Sequence, residues 1–79
     1  MVKRAEVLWI RVTENRWKVK APTMWLFVTQ TPIGDYRAEY WYGFGCYQIG
    51  YYDTLEEAQK QCQNKAFDRP VTVGRRKVP

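Results

Sequence analysis

Alternation of apolar and charged residues near the start of the chain is the feature that most constrains its fold. Apolar side chains recur at every second position in residues 8–12 and again in residues 17–21, with a short loop at Glu14-Asn15 between them. A period of two is typical of β-strands, and an antiparallel hairpin places both apolar sets on one face. A slip of one residue would set apolar side chains against charged ones, so the pattern fixes the register. The predicted pairs are Val12 with Trp17, Ile10 with Val19, and Leu8 with Ala21.

Three further strands are predicted at residues 24–30, 36–41 and 46–52. The turn between the first two contains Pro32 and Gly34, residue types that fix or permit the φ angles of tight turns. A loop around Gly43-Phe44-Gly45 returns the chain to the last strand. Pairing about this loop sets Tyr36, Ala38 and Tyr40 opposite Tyr51, Ile49 and Tyr47, and it sets Arg37, Glu39 and Trp41 opposite Gly50, Gln48 and Cys46.

After residue 52 the hydrophobic period changes from two to the helical value. Asp53 or Thr54 can cap a helix, because an acid follows three residues after each of them. Pro70 ends the helix within residues 68–70, and a short edge strand at 71–73 and a basic tail follow. The apolar stripe of the helix consists of Leu55, Ala58, Cys62 and Ala66.

These elements predict one α+β domain, an antiparallel five-stranded meander sheet with one α-helix packed on one face. Its parts are an N-terminal hairpin in residues 1–22, three strands and the helix in residues 24–67, and a short strand with a basic tail in residues 70–79. A chain of 79 residues has no room for a second core. The helix is expected to cover Leu8, Ile10, Val12, Val19, Leu26, Val28, Ala38, Tyr40 and Ile49.

Positive charge is concentrated at the two ends of the chain. The net charge of +5 divides into +4 for residues 1–20, −4 for residues 21–59 and +5 for residues 60–79. Ten of the thirteen aromatic residues lie in the acidic middle. Basic ends on an aromatic body suit a polyanion such as nucleic acid, or an acidic protein face. The alternative interpretation is that these charges serve solubility alone.

The residue inventory argues against catalysis and against metal binding. The sequence has no histidine, the side chain used most often as a general base and as a metal ligand. Its two cysteines, Cys46 and Cys62, are sixteen residues apart and have no third soft ligand to complete a zinc site. We therefore expect a binding protein, not an enzyme, with no metal and no cofactor. Both cysteines are predicted to be reduced thiols, Cys62 in the core and Cys46 on the outer face.

The distribution of apolar residues predicts no leader and no membrane span. Arg11 interrupts the apolar stretch at residues 7–10, which is too short for a secretory signal. No stretch approaches the roughly 18 apolar residues of a membrane helix. We expect a cytoplasmic protein without a membrane partner, in the cytoplasm of the host cell if the chain is phage-encoded.

Two motifs in the second half of the chain occur together in one known family. The first is Gly-x-aromatic-x-Ala-Glu, at residues 34–39, and the second is apolar-Gly-x-aromatic-acid-Thr-x-Glu-x-Ala, at residues 49–58. With the Pro32 turn, they make residues 28–67 resemble the plant ethylene-response-factor DNA-binding domain and the related arm-binding modules of phage integrases. The chain also resembles small phage-encoded accessory proteins. The resemblance implies three strands and a helix, with DNA bound on the sheet face opposite the helix.

In the family, arginines lead the DNA contacts of that face, and this chain has other residues at their positions. Each missing arginine removes a phosphate or guanine contact, so the resemblance supports the fold more strongly than major-groove reading of DNA. Glu39 is the position that is kept. The replaced positions are Leu26, Thr29 and Thr31 on the first strand and Trp41, Cys46 and Gln48 on the later strands.

The predicted registers gather tryptophans and basic residues on the face that the helix leaves uncovered. Three tryptophans exposed together exceed what monomers normally tolerate, and such a patch usually marks an interface. The alternative is that the C-terminal segment or a dimer mate covers it. The predicted binding residues are Trp9, Arg11, Lys18, Lys20, Trp25, Phe27, Arg37 and Trp41 on the sheet, with Arg75, Arg76 and Lys77 in the tail.

Two functions fit this surface. In the first, the protein binds nucleic acid or a nucleoprotein complex, with bases stacked on the aromatic rings and phosphates held by the basic residues. In the alternative, it is a phage-type protein inhibitor, anti-CRISPR-like, that blocks a host defence complex through tryptophan hot spots. A homodimer through the same aromatic face is a third arrangement.

Overall fold

A computed structural model describes residues 8–74 of the chain. Five strands precede one helix, and neighbours in the sheet are also neighbours in the sequence. The predicted α+β class and the antiparallel five-stranded meander with one helix are confirmed. Within the described residues, no helix has the length and apolar character needed to cross a membrane. The elements are β1 (Ile10–Thr13), β2 (Arg16–Lys20), β3 (Trp25–Gln30), β4 (Tyr36–Tyr42), β5 (Gly45–Tyr52) and α1 (Leu55–Ala66).

The core lies between α1 and one face of the sheet. Leu26, at the middle of that face, is opposite Val19 on one side and Tyr40 on the other, and it has no exposed surface. Successive strand residues point to opposite faces, so the residues between these positions form a second face without the helix, which we call the open face. The buried apolar residues are Val19, Ala21, Leu26, Val28, Ala38, Ile49, Tyr52, Ala58 and Cys62.

The pairing of β1 with β2 contains a bulge that the sequence pattern did not predict. Thr13 lies opposite Arg16, as the predicted loop requires, but Trp17 lies opposite Arg11 and not opposite Val12. Val12 is therefore an extra residue in β1. One extra residue reverses the face to which each side chain beyond it points.

The predicted core positions of β1 are wrong for this reason. Leu8, Ile10 and Val12 are 80%, 56% and 47% exposed. Trp9 lies on the helix side instead, where its indole Nε1 donates a hydrogen bond to Oε1 of Gln63 on α1 (3.0 Å). Trp9 thus contributes packing and a hydrogen bond to the helix face rather than to the open face.

A second bulge lies in β5 at Ile49. The predicted pairs from the turn as far as Glu39, which lies opposite Gln48, are confirmed. Beyond them the predicted partners are wrong by one residue, because Ile49 is the extra residue in β5. The observed partners are Gly50 for Ala38, Tyr51 for Arg37 and Tyr52 for Tyr36.

The helix begins and packs as the sequence predicts. The Glu57 N–H donates to Oγ1 of Thr54 (3.1 Å), so Thr54 is the N-cap. Gln61, which the apolar stripe did not include, is also buried, and its Oε1 accepts from the Thr72 N–H (2.9 Å). Of the predicted stripe, Ala58 and Cys62 are fully buried, while Leu55 and Ala66 pack against the core half-buried.

The helix ends in a Schellman motif. The Arg69 N–H donates to the Asn64 carbonyl (2.7 Å), and the Asp68 N–H donates to the Lys65 carbonyl (3.3 Å). Asp68 has φ 57°, the left-handed conformation that glycine usually occupies at this position.

Residues 70–74 return to the sheet as an irregular segment, so the predicted edge strand at 71–73 is wrong. The Tyr52 hydroxyl donates to the Thr72 carbonyl (2.6 Å), and the Tyr51 N–H donates to the Gly74 carbonyl (3.0 Å). A β-carbon on Gly50 would lie 2.7 Å from both N and O of Gly74, so only glycine permits this approach. Burial raises the pKa of the Tyr52 hydroxyl. The segment covers part of the outer edge of β5.

Candidate binding surface

The side chains of the open face form three rows that run across strands β2 to β5. Residues directly opposite each other in an antiparallel pair share a face, so the registers define each row. The first row is Arg16, Thr29, Arg37 and Tyr51; the second is Lys18, Phe27, Glu39 and Gln48; the third is Lys20, Trp25, Trp41 and Cys46.

Three aromatic rings form a continuous cluster on this face. The ring centroids of Phe27 and Trp41 are 5.2 Å apart, and those of Trp25 and Phe27 are 6.4 Å apart. Trp41 and Trp25 are 46% and 37% exposed. Trp25 lies directly opposite Trp41. We call Trp25, Phe27 and Trp41 the aromatic triad.

Basic side chains border the aromatic triad on the β2 side. The Lys18 and Lys20 ammonium groups lie 5.3 and 5.9 Å from the Trp25 ring centroid. The Arg16 guanidinium lies 4.5 Å from the Phe27 ring centroid. These are cation–π distances, and they place positive charge directly beside the exposed Trp25 ring and the half-buried Phe27 ring.

Glu39 is the acidic residue of the three rows. Its Oε1 lies 3.5 Å from Nε of Arg37, and its Oε2 accepts a long hydrogen bond from Sγ of Cys46 (3.8 Å). Partial desolvation and the Glu39 charge raise the pKa of the Cys46 thiol, so the thiol stays protonated at neutral pH. A protonated thiol is a weak nucleophile. Among residues 8–74, no three His, Cys, Asp or Glu side chains are grouped so that they could hold a metal ion.

The structure brings together most, but not all, of the predicted binding residues. Trp9 and Arg11 belong to the helix side, because the Val12 bulge reverses their direction; Arg11 lies over the Trp17 ring (5.5 Å). The predicted tail residues Arg75, Arg76 and Lys77 lie outside the described residues. The predicted residues that share the open face are Lys18, Lys20, Trp25, Phe27, Arg37 and Trp41.

Comparison of the chain with protein-family models, with curated proteins and with solved structures finds no match. The open face must therefore be interpreted from its own residues.

Arg16, Thr29 and Glu39 lie on this face beside the predicted binding residues but were not included among them. Arg16 continues the alternation of Lys18 and Lys20, so the period-two pattern could have included it. Thr29 continues the alternation of Trp25 and Phe27, and Glu39 lies between Arg37 and Trp41; only the registers show that both are beside basic residues.

The helix side carries a separate aromatic cluster near the turn between β4 and β5. The Tyr40 and Tyr47 rings are stacked, with centroids 5.1 Å apart, and the Lys65 ammonium lies 5.2 Å from the Tyr40 centroid. Tyr47 is 48% exposed, almost the same fraction as Trp41. This cluster provides matched controls for tests of the open face.

Proposed function

We propose that this chain is a non-enzymatic module that binds single-stranded nucleic acid, alone or within a nucleoprotein complex, on its open face. The observation that carries the proposal is the contact of the aromatic triad, two exposed tryptophans and the half-buried Phe27, with a border of basic side chains. Every base has a π-face, so adjacent exposed rings bind successive bases with little dependence on sequence. Each such stacking contact contributes about 1–3 kcal/mol.

The charges of the face also favour a polyanion. Arg16, Lys18, Lys20 and Arg37 are countered by Glu39 alone among the residues of the three rows. Because Lys18 and Lys20 lie within 6 Å of the Trp25 ring, a base stacked there brings its phosphates close to both ammonium groups. Stacking and phosphate neutralisation then act on the same strand.

The test is a titration with a single-stranded oligonucleotide of about ten nucleotides and, in parallel, with a base-free polyphosphate of similar charge. We expect quenching of tryptophan fluorescence by the oligonucleotide only, and an affinity that falls steeply as salt rises from about 50 to 200 mM. Trp25→Ala should weaken binding, while the control Tyr42→Ala, on the helix side, should not. Absence of binding at low salt, or equal binding of both polymers, would contradict the proposal.

A second candidate function is inhibition of a protein complex, such as a phage-type inhibitor of host defence. The exposed pair Trp25 and Trp41 favours it, because tryptophan and arginine are enriched at the energetic centres of protein interfaces. Treatment with nuclease separates the two functions: a complex with a protein target survives it, whereas one bridged by nucleic acid dissociates. Self-association through the same face would appear as a concentration-dependent mass in sedimentation.

A further inference from the structure

Three polar atoms in the first row of the open face have no hydrogen-bond partner although they are shielded from solvent. They are Nε of Arg16, Oγ1 of Thr29 and Nε of Arg37, and the statement holds for the residues that the structure describes. Buried polar groups in native proteins are almost always paired, so each exception requires an explanation. Because all three exceptions lie in one row, a single explanation should account for them.

The register places these side chains side by side. Thr29 lies directly opposite Arg16 on β2 and directly opposite Arg37 on β4. Strands in a sheet are about 4.8 Å apart, so the backbone positions of Arg16 and Arg37 flank that of Thr29 at about that spacing on each side. We call Arg16, Thr29 and Arg37 the arginine row.

The arginine row has many donors and few acceptors. Each guanidinium has five N–H donors and no acceptor. Glu39 is the nearby acid, and its Oε1 lies 3.5 Å from Nε of Arg37 without hydrogen-bond alignment. These donors match a compact group with several acceptor oxygens, which is the chemistry of a phosphate.

We propose that the arginine row is a phosphate-binding site, and that it holds one backbone phosphate of the strand whose bases stack on the aromatic triad; this deepens the proposed function and rests on it. Arginine binds phosphate with two parallel N–H contacts, and a hydroxyl can donate to a third oxygen. The row lies four residues along the strands from Trp25 and Trp41, about 13 Å. A strand of about four nucleotides or more reaches both sites.

The first experiment compares charge-matched double variants. Arg16→Gln with Arg37→Gln removes two charges from the row, while Lys60→Gln with Arg69→Gln removes two charges from exposed positions beyond the sheet. For the oligonucleotide, the row variant should bind at least tenfold more weakly. Its plot of log affinity against log salt should lose a slope of about 0.7 for each phosphate contact. The control variant should keep both the wild-type affinity and the wild-type salt slope.

Two further variants distinguish specific phosphate binding by these side chains from non-specific attraction to positive charge. Arg16→Lys keeps the charge but not the planar fork, so affinity should fall while the salt slope stays unchanged. Thr29→Val keeps the shape and removes the hydroxyl; binding should fall several-fold while the melting temperature stays the same or rises, because an unpaired buried hydroxyl is lost. Equal binding by Arg16→Lys, Thr29→Val and wild type would overturn the site.

A parallel thermal-melting experiment with inorganic phosphate tests the phosphate site independently of the proposed function. Phosphate should raise the melting temperature of the wild type more than that of the row variant. If it does so while no oligonucleotide binds, the phosphate site stands and the proposed function fails. If the oligonucleotide binds the row variant and the charge-matched control equally, the proposed function stands and the phosphate site is wrong.

Discussion

Replacement of Trp41 should separate binding from stability more clearly than any other single change. Trp41 is 46% exposed, so about half of its side-chain surface is buried. Full burial of an aromatic side chain removes roughly 150–250 Å² from water, and half of that area at about 25 cal/mol per Å² corresponds to about 2–3 kcal/mol. Alanine keeps part of this contact, and the denatured chain is partly compact. Trp41→Ala should therefore cost about 1–2 kcal/mol of unfolding free energy.

Ile49 and Tyr47 give the two comparisons. Ile49 is 9% exposed in the core, and Ile49→Ala should cost about 2–5 kcal/mol, since it leaves a cavity as well as losing contact area. Tyr47→Ala should cost about as much as Trp41→Ala, because Tyr47 is 48% exposed and also contacts one ring. Only Trp41→Ala should weaken binding, by about 2 kcal/mol or more, or roughly 30-fold.

The assay is urea unfolding of the three variants together with oligonucleotide titration of each folded protein. If Trp41→Ala unfolds the domain while Ile49→Ala is tolerated, the assignment of the two sheet faces is inverted. If Trp41→Ala and Tyr47→Ala change the affinity equally, the open face is not the binding surface.

Three other predictions concern stability and reactivity. Asp68→Gly should stabilise the domain by about 0.5–1 kcal/mol in urea unfolding, because glycine accepts φ 57° without steric cost; Asp68→Asn is the control for charge, and a loss of stability on Asp68→Gly would contradict the Schellman assignment. Burial raises the pKa of Cys62 from 9.0 to about 12, so the folded state favours the neutral thiol. This contribution to the free energy of unfolding is fully present below pH 9 and is lost as pH rises toward 12, by about 2 kcal/mol at pH 10.5. The unfolding free energy of the wild type should therefore fall more steeply with pH than that of Cys62→Ala. A thiol reagent should modify only Cys46 in the native protein. Gly50→Ala should destabilise the domain by about 1–3 kcal/mol in thermal melting, since its β-carbon would meet the Gly74 backbone at 2.7 Å; an unchanged melting temperature would show that residues 70–74 do not pack there.

The sequence predicts the sheet well where alternation is uninterrupted. On β3, Leu26 and Val28 alternate with Trp25 and Phe27, and both the register and the faces follow from this pattern. The N-cap of α1 is equally readable from the sequence, because the hydrogen bond from the Glu57 backbone N–H to the Thr54 hydroxyl depends only on local spacing.

The bulges could not be predicted from alternation. Val12 and Ile49 are apolar, as the residues two positions before them are, so a count of every second residue passes through them without a signal. Tertiary contacts favour the bulge at Val12, because it lets Trp9 form a hydrogen bond to Gln63 on a helix more than fifty residues away. Gly50 was the one local indication, because glycine inside a strand often marks a bulge or a close backbone approach.

The arginine row shows a different limit. Arg16, Thr29 and Arg37 belong to three separate strands, and the unpaired state of their buried atoms depends on how those strands are aligned. A sequence shows which residue types are present, whereas the number of hydrogen bonds they make is a property of the assembled sheet.

The two ends of the meander restrict how a partner can attach. Many domains bind an extended peptide by adding it as a further strand, which requires a straight edge with free N–H and C=O groups. Here the Val12 bulge twists the β1 edge, and the Tyr51 N–H at the β5 edge already donates to Gly74. Both edges therefore resist strand addition, a property that also opposes fibril growth. On the proposed binding surface, recognition would then depend on rings and charges and not on backbone pairing.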